Sequence, residues 1–558
     1  MVEAKAISSG DGLFRPKRLG VSIWWFGAIV IALVIASPLG VVVGSLAQAP
    51  GEGWQLVSEL LLADYIKGTL VMVAGVGALT LFFGVGAAWT VTVWEFPGRR
   101  FFSLALMLPM AIPTYVAAYA YAFAKFEIRD PLLLWVRERW GAEDMSDTGV
   151  VFKHELAILV MSLVLYPYVF IAARVGFAEI SGAYIENSRL LGRGLWRSLF
   201  TVGLPLARPA IIGGMMLALL EVINEYGAMI HYGIETLTTG IFVSWTDLGD
   251  IDSAVRLAGV AMLVVFALIL IERGLRGRKR FHAHRAAQRN LVEPTKTRGG
   301  ALAASCACGA LFFAAFILPV WKLLELAMLG LQKTGLAPLL KPVAGSVGVA
   351  LAAGVAILAA ALFLAYAVRV FPNVAMRLLS KVCMLGYALP GAVVAITVLV
   401  AVSSLSDFLA GRFGLPSLTH LLFTATPAGL AIAYAIRFMT PALAPVEAGM
   451  GRVSQSMDEA SRLLGRSTWG TFFRIHVPLL RLPLLGALVV LFVDILKELP
   501  LTLVLRPPNV ETLATRTYGL IQKEERIAEG AVPALILVLC GVAGVIILHR
   551  LIRRRTGA

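Results

Sequence analysis

Six stretches of this 558-residue chain carry no charged side chain: residues 21–46, 69–92, 101–124, 301–321, 342–368 and 382–402. A helix needs about 20 apolar residues to cross a hydrocarbon core, and each run meets that requirement. Less uniform stretches at 156–177, 209–233, 421–446, 482–505 and 531–548, with one ending at Ile271, complete a set of about twelve. Only 15% of the chain is charged against 59% hydrophobic, which excludes a soluble domain. The expected fold class is therefore all-α, a polytopic membrane protein.

The net charge of +15 would suit a nucleic-acid partner if it were clustered on one surface. It collects instead in alternate loops, at Arg99-Arg100 and within 189–208, 273–298 and 550–555, while Glu52, Glu59, Asp64, Glu235, Asp247, Asp250 and Asp252 fall in the opposite ones. The positive-inside rule accounts for this pattern without nucleic acid. It predicts a multi-pass protein of the inner (plasma) membrane with both termini cytoplasmic. The basic N-terminus (Lys5, Arg15, Lys17, Arg18) precedes an apolar run too long for a signal-peptide core, so that run is read as the first anchor.

Sliding the chain by 273 positions superposes Glu186 on Glu459, Ser188 to Arg193 on Ser461 to Arg466, Trp196 on Trp469, Pro205 on Pro478 and Arg208 on Arg481. Earlier in each half the offset is about 277, placing Pro113 on Pro390 and Thr69 on Ser346. A duplication with an even number of helices per copy gives two parallel six-helix repeats related by an axis along the membrane normal. The expected division is 1–275 for the first permease half, 276–300 for a basic cytoplasmic linker and 301–558 for the second half. His282 and His284 in the linker and Cys306-Ala307-Cys308 in an apolar span are read as linker and packing residues, not as a metal site.

The repeated segments 186–205 and 459–478 lie between the fourth and fifth helices of each half, on the side the charges assign to the cytoplasm. Glu459-Ala460-Ser461, Gly465, Ile475 and Pro478 resemble the EAA loop of ABC importer permeases, and Glu186-Asn187-Ser188, Gly192, Val202 and Pro205 follow it more loosely. The resemblance implies a short helix that docks into a cleft of a separate ATPase, so two loops imply two copies of an ATPase subunit. The residues it assigns to docking are Glu186, Ser188, Gly192, Pro205, Glu459, Ala460, Ser461, Gly465 and Pro478. No Gly-Lys pair occurs anywhere, so the chain has no phosphate-binding loop of its own. No catalytic residue and no cofactor is assigned to it.

Beyond the loops, Tyr166-Pro167-Tyr168-Val169-Phe170, the segment from Glu235 to Ile241, the segment from Lys497 to Leu503 and the segment from Glu511 to Arg516 resemble the fused two-half permeases for ferric iron. That likeness implies a soluble binding protein delivering substrate on the outer side, where the Glu235 and Glu511 segments are expected. Permeases for thiamine and polyamines share the architecture and remain alternatives. In the fifth helix of each half Glu221 and Glu225 match Asp494 and Glu498, four residues apart and so expected on one helix face. Carboxylates within a membrane helix are costly unless paired or facing water, which makes these four candidates for a cation pathway. The alternative is structural, with Asn224, Lys497 and Arg437 satisfying them. A secondary transporter of two parallel halves is the rival from another class, but such carriers place their Gly- and Arg-rich signature between the second and third helices, not the fourth and fifth. A membrane enzyme has no clustered nucleophile or metal-spaced set to support it.

Overall fold

The computed structural model describes residues 23–122, 153–178, 188, 190–192, 194–276, 293–294 and 298–556. Among them ten helices are long and apolar enough to cross a membrane, and two bent pairs bring the number to twelve. Six precede the join: Ile23–Leu46, Glu52–Val93, the pair Arg99–Ala111 with Thr114–Ala122, Lys153–Ala178, Leu199–Asn224 and Ile251–Arg276. Six follow it: Arg298–Thr334, Ala337–Val370, Gly391–Phe413, Ala428–Met450, the pair Thr468–Leu479 with Arg481–Lys497, and Ile527–Leu551. Among the described residues the sole extended pairing is a two-residue parallel contact of 94–95 with 293–294, so the all-α expectation holds. Helices satisfy every backbone group within one segment, which is what a hydrocarbon solvent demands. The linker histidines lie outside the described residues.

Five of the expected spans are interrupted, 421–446 at the extended Thr426 (φ −136°, ψ 158°) just before Pro427. The run 101–124 turns by 91° before Thr114, and 382–402 divides between Val374–Cys383 and Gly391–Phe413. The cause is the matched prolines: a residue before proline is driven out of the helical region, and Ile112 (φ −85°, ψ 123°) and Leu389 (φ −82°, ψ 129°) show the same extended backbone. The expected spans 209–233 and 482–505 also break, at Glu225 (φ −70°, ψ 124°) and Glu498 (φ −68°, ψ 121°). Pro500 cannot donate a backbone hydrogen bond, and its ring would collide with the carbonyl four residues earlier were the second of these helices to continue. In the first half no proline follows the break; there Gly227 opens the next short helix, packed so closely that a Cβ would stand 2.7 Å from that of Tyr115 and 2.9 Å from Leu499.

The first helix of each half packs on the other half. Trp24 stacks on Phe363 with ring centroids 4.7 Å apart and lies 4.5 Å from the ring of Trp469. In return, the Tyr121 hydroxyl donates to the Ala314 carbonyl, the Ser305 hydroxyl donates to Pro97 O at 2.9 Å, and Phe101 meets Phe312 at 5.8 Å. The halves are interlocked and cannot part as separate bundles.

The repeat extends to the opposite end of the bundle from the matched loops at 186–205 and 459–478. Thr236 with Thr239, and Thr512 with Thr515, form reciprocal capping boxes at the start of short helices. The Thr69 hydroxyl accepts the Leu237 N–H at 2.9 Å and the Ser346 hydroxyl accepts that of Leu513 at 2.6 Å. Beside them Gly68 and Gly345 lie so close to the Glu235 and Glu511 carbonyls that a side chain at either position would overlap the backbone.

Candidate functional site

The two matched loops share their described features. Helix Gln455–Leu463 ends in a Schellman motif: Gly465 N–H reaches Arg462 O at 2.9 Å and Arg466 N–H reaches Ser461 O at 3.1 Å. Gly465 has φ +74° and Gly192 φ +79°, a left-handed conformation that glycine adopts without steric cost. Ser461 is buried and shares a hydrogen bond with Thr471 at 2.8 Å; Ser188 does the same with Ser198 at 2.9 Å. Each bond ties the loop to the start of the next span. Glu459 and Ala460 are exposed. Pro205 and Pro478 lie within the helical spans Leu199–Asn224 and Thr468–Leu479, each just after a widened helical turn, Leu199–Gly203 and Phe472–His476. Glu186 lies outside the described residues.

Sequence reasoning did not single out the leucines that the loops present. Leu463 and Leu464 are 86% and 77% exposed, and Leu190 and Leu191 are 85% and 77% exposed. Two Leu-Leu pairs are thus left bare beside charged residues, and copied in both halves. Their signal was present in the matched block but was indistinguishable from core leucine.

The second loop has a tie that the first lacks. Asp458 accepts from Arg369 Nε at 2.7 Å through one oxygen and meets His476 Nε2 at 2.7 Å through the other. Arg369 also donates to the carbonyls of Met450, Val453 and Ser454 at 2.8, 2.8 and 3.0 Å, and the Tyr366 hydroxyl donates to Thr468 O at 3.0 Å. The matching positions of the first half are Thr92, Ile185, Gly203 and Trp89. There the indole of Trp89 occupies the space beside Gly203, 3.0 Å from where a Cβ would be.

The acidic residues meet where the fifth helices break. Glu225 and Glu498 lie one residue past the helix ends, in extended backbone, so they are not on a continuous helix face with Glu221 and Asp494 as expected. The breaks aim both carboxylates at a cavity of about 50 Å³ lined by Thr114, Tyr115, Glu221, Asn224, Glu225, Lys497 and Glu498 among others. That volume corresponds to about one or two waters. Glu225 accepts from the Thr114 hydroxyl and from Ala228 N–H at 2.9 Å. Glu498 receives the N–H of Leu501 at 3.4 Å.

The cations follow a different pattern in the two halves. Lys497 pairs with Asp494 at 3.0 Å. Arg437 lies 3.6 Å from Glu498 and 4.0 Å from Glu221, donates to Leu389 O at 3.1 Å, and leaves Nε without a hydrogen bond. Its ion pairs are therefore longer than hydrogen-bond contact. Asn224 instead crosses between halves, its side-chain oxygen accepting Gly391 N–H at 2.6 Å. Gly391 has no room for a Cβ, which would stand 2.8 Å from Glu498 Oε1 and 3.0 Å from Asn224 Oδ1. Arg437 and Lys497 thus do satisfy some of the acids, while Glu225 is held by neutral donors. Thr114 and Tyr115 line the cavity unflagged by sequence, because the proline break that places them was read as continuous helix.

The model of the family described as binding-protein-dependent transport system inner membrane component matches residues 80–272 and again 337–557. Among curated relatives, the chain is 22% identical to an Fe(3+)-transport system permease protein of Haemophilus influenzae, covering 86% of this chain and 88% of that protein. A sulfate transport system permease protein of Escherichia coli is 25% identical, covering 44% of this chain and 86% of that protein. A molybdenum transport system permease protein of the same organism is 28% identical, covering 35% and 84%. The latter two correspond to less than half of this chain, whereas the iron permease matches along nearly all of it. The chain belongs to the binding-protein-dependent transport system inner membrane components, with that family unit present twice in one polypeptide.

Proposed function

We propose that this chain supplies both membrane halves of an ATP-driven importer for ferric iron, with its loops at 186–205 and 459–478 each docking one copy of an ATPase subunit. The observation that carries the substrate is the composition of the central cluster. Four carboxylates, Glu221, Glu225, Asp494 and Glu498, stand against two cations, Arg437 and Lys497. An excess of hard carboxylate oxygens favours a hard cation over an oxyanion. The near full-length likeness to the iron permease supports the same choice. Arg437, with its long ion pairs, is the feature that favours an oxyanion such as those in the names of the sulfate and molybdenum relatives.

Substrate arrives from a soluble binding protein at the face bearing the Glu235 and Glu511 segments, and the termini lie with the docking loops on the cytoplasmic side. Nucleotide is hydrolysed by the partner. The division at 276–300 separates two halves that move against each other, held together by their exchanged first helices.

The test is uptake of radioactive ferric iron by cells with and without the intact chain, with sulfate, molybdate, thiamine and polyamines as competitors, alongside co-purification of an ATPase. Iron uptake that depends on the chain and resists the competitors is expected. Competition by an oxyanion would overturn the substrate, and ATP-independent transport by the isolated chain would overturn the class.

A further inference from the structure

Between the central cavity and the face opposite the docking loops, the halves enclose a line of tyrosines. Helix Thr114–Ala122 carries Tyr115 and Tyr119 one turn apart, on one face. Both are buried, at 3% and 0% exposure, with ring centroids 5.9 Å apart. Neither hydroxyl has a hydrogen-bond partner. Tyr115 lines the cavity beside Glu225, and the ring of Tyr119 lies 4.7 Å from that of His231. There the halves close on each other: the Tyr226 and Tyr518 hydroxyls meet at 3.1 Å, and His231 Nδ1 lies 3.1 Å from Gln522 Oε1.

A buried hydroxyl without a partner costs free energy that phenylalanine, with the same ring, avoids. Packing alone therefore favours phenylalanine at 115 and 119. These two hydroxyls are placed in sequence between a carboxylate and a contact in which side chains hydrogen-bond across the halves. Tyr166 also has an unpartnered hydroxyl, but it sits in a separate apolar cluster with Trp89, Phe170 and Cys308, where the first helix of the second half covers the first half, and not at the Tyr226–Tyr518 contact.

Resting on the reading of the chain as a cation importer, we infer that Tyr115 and Tyr119 are oxygen donors to the entering cation, handing it from the Tyr226–Tyr518 contact, which parts to admit it, to the Glu225 carboxylate. Neutral phenol oxygens suit this task because a hard cation accepts them in place of water while a site for passage must also release it.

The test compares Y115F/Y119F with Y166F in cells whose sole copy of the full chain is the variant. The readouts are the initial rate of radioactive ferric iron uptake, the amount of chain in the membrane and the thermal stability of the purified chain. The double variant is expected to be as abundant and at least as stable as the unaltered chain, with uptake reduced at least about tenfold, while Y166F takes up iron normally. Unchanged uptake by the double variant overturns the inference and leaves the proposed function standing. An equal loss in Y166F also overturns it, since any lost buried hydroxyl would then suffice. Failure of the unaltered chain to support iron uptake overturns the substrate reading itself.

Discussion

Replacing Asp458 by alanine removes the carboxylate that joins the second of the matched loops to two membrane spans. Asp458 and Arg369 side chains are 14% and 15% exposed and His476 is fully buried, so water replaces the lost bonds poorly. Hydrogen bonds to a charged group contribute about 1.5–3 kcal/mol each, and two are lost. Arg369 keeps its three carbonyl acceptors, which places the expected cost at the lower end, about 3 kcal/mol. Felt as local opening of the loop, that is roughly a hundredfold rise in the opening constant. Amide hydrogen exchange of the purified chain in lipid discs reads it directly: protection across Gln455–Leu463 should fall by about that factor, with the first loop unaffected. Asp458→Asn, which keeps an acceptor, should lie between. A change of less than about threefold in Asp458→Ala would show that the Ser461–Thr471 bond and the Schellman turn hold the loop without the ion pair.

Gly465→Ala places a Cβ on a left-handed residue at a cost of about 1–2 kcal/mol; weaker recovery of the ATPase with the chain is expected, and Gly192→Ala should act likewise at the other loop. Replacing Glu225 and Glu498 together by glutamine keeps their shape but removes both charges beside the cavity, so iron uptake should fall at least about tenfold while ATPase recovery stays normal. Unaltered uptake by that pair would remove the carboxylates from the pathway. Gly68→Ala or Gly345→Ala drives a methyl into a carbonyl on the opposite face, and overpacking of about 1–3 kcal/mol or more should lower the thermal midpoint in detergent. A midpoint equal to that of the unaltered chain would show that the backbone there yields freely.

Much of this architecture is legible before any coordinates, because hydrocarbon imposes a simple rule. Residues 21–46 have to be a helix, and the copied block from Ser188 to Arg193 has to be a structural unit since it recurs with its glycine. The broken spans are harder to see. Pro113 and Pro390 sit in runs as apolar as any helix, and hydropathy is blind to a bend; the matched prolines themselves were the available clue. The break at Glu225 is less legible still, since no proline marks it and the close packing of Gly227 on Tyr115 beside it joins residues far apart in sequence. The same limit hides Arg369, Asp458 and His476, which are separated along the chain and drawn together only by packing.

The two halves differ where an exact copy would fail. Arg437 reaches acids from both halves, Glu221 in the first and Glu498 in the second. The corresponding stretch of the first half, 160–164, contains no charge. A second arginine there would bring two buried guanidinium groups towards the same acids, and like charges at close range in a medium of low permittivity repel strongly. Lys497 and Asn224 occupy matching positions, yet only Asn224 has the oxygen that accepts Gly391 N–H, whereas Lys497 is a pure donor and pairs with Asp494. Two identical halves would have to carry either two such lysines, losing the acceptor that crosses between them, or two asparagines, leaving Asp494 without its cation. Joining the halves in one chain removes that constraint, because each position can be set once. The physical consequence is a cavity with unlike walls: on the second-half wall each acid has a cation of its own half, and on the first-half wall Glu225 is held by Thr114 and a backbone N–H alone.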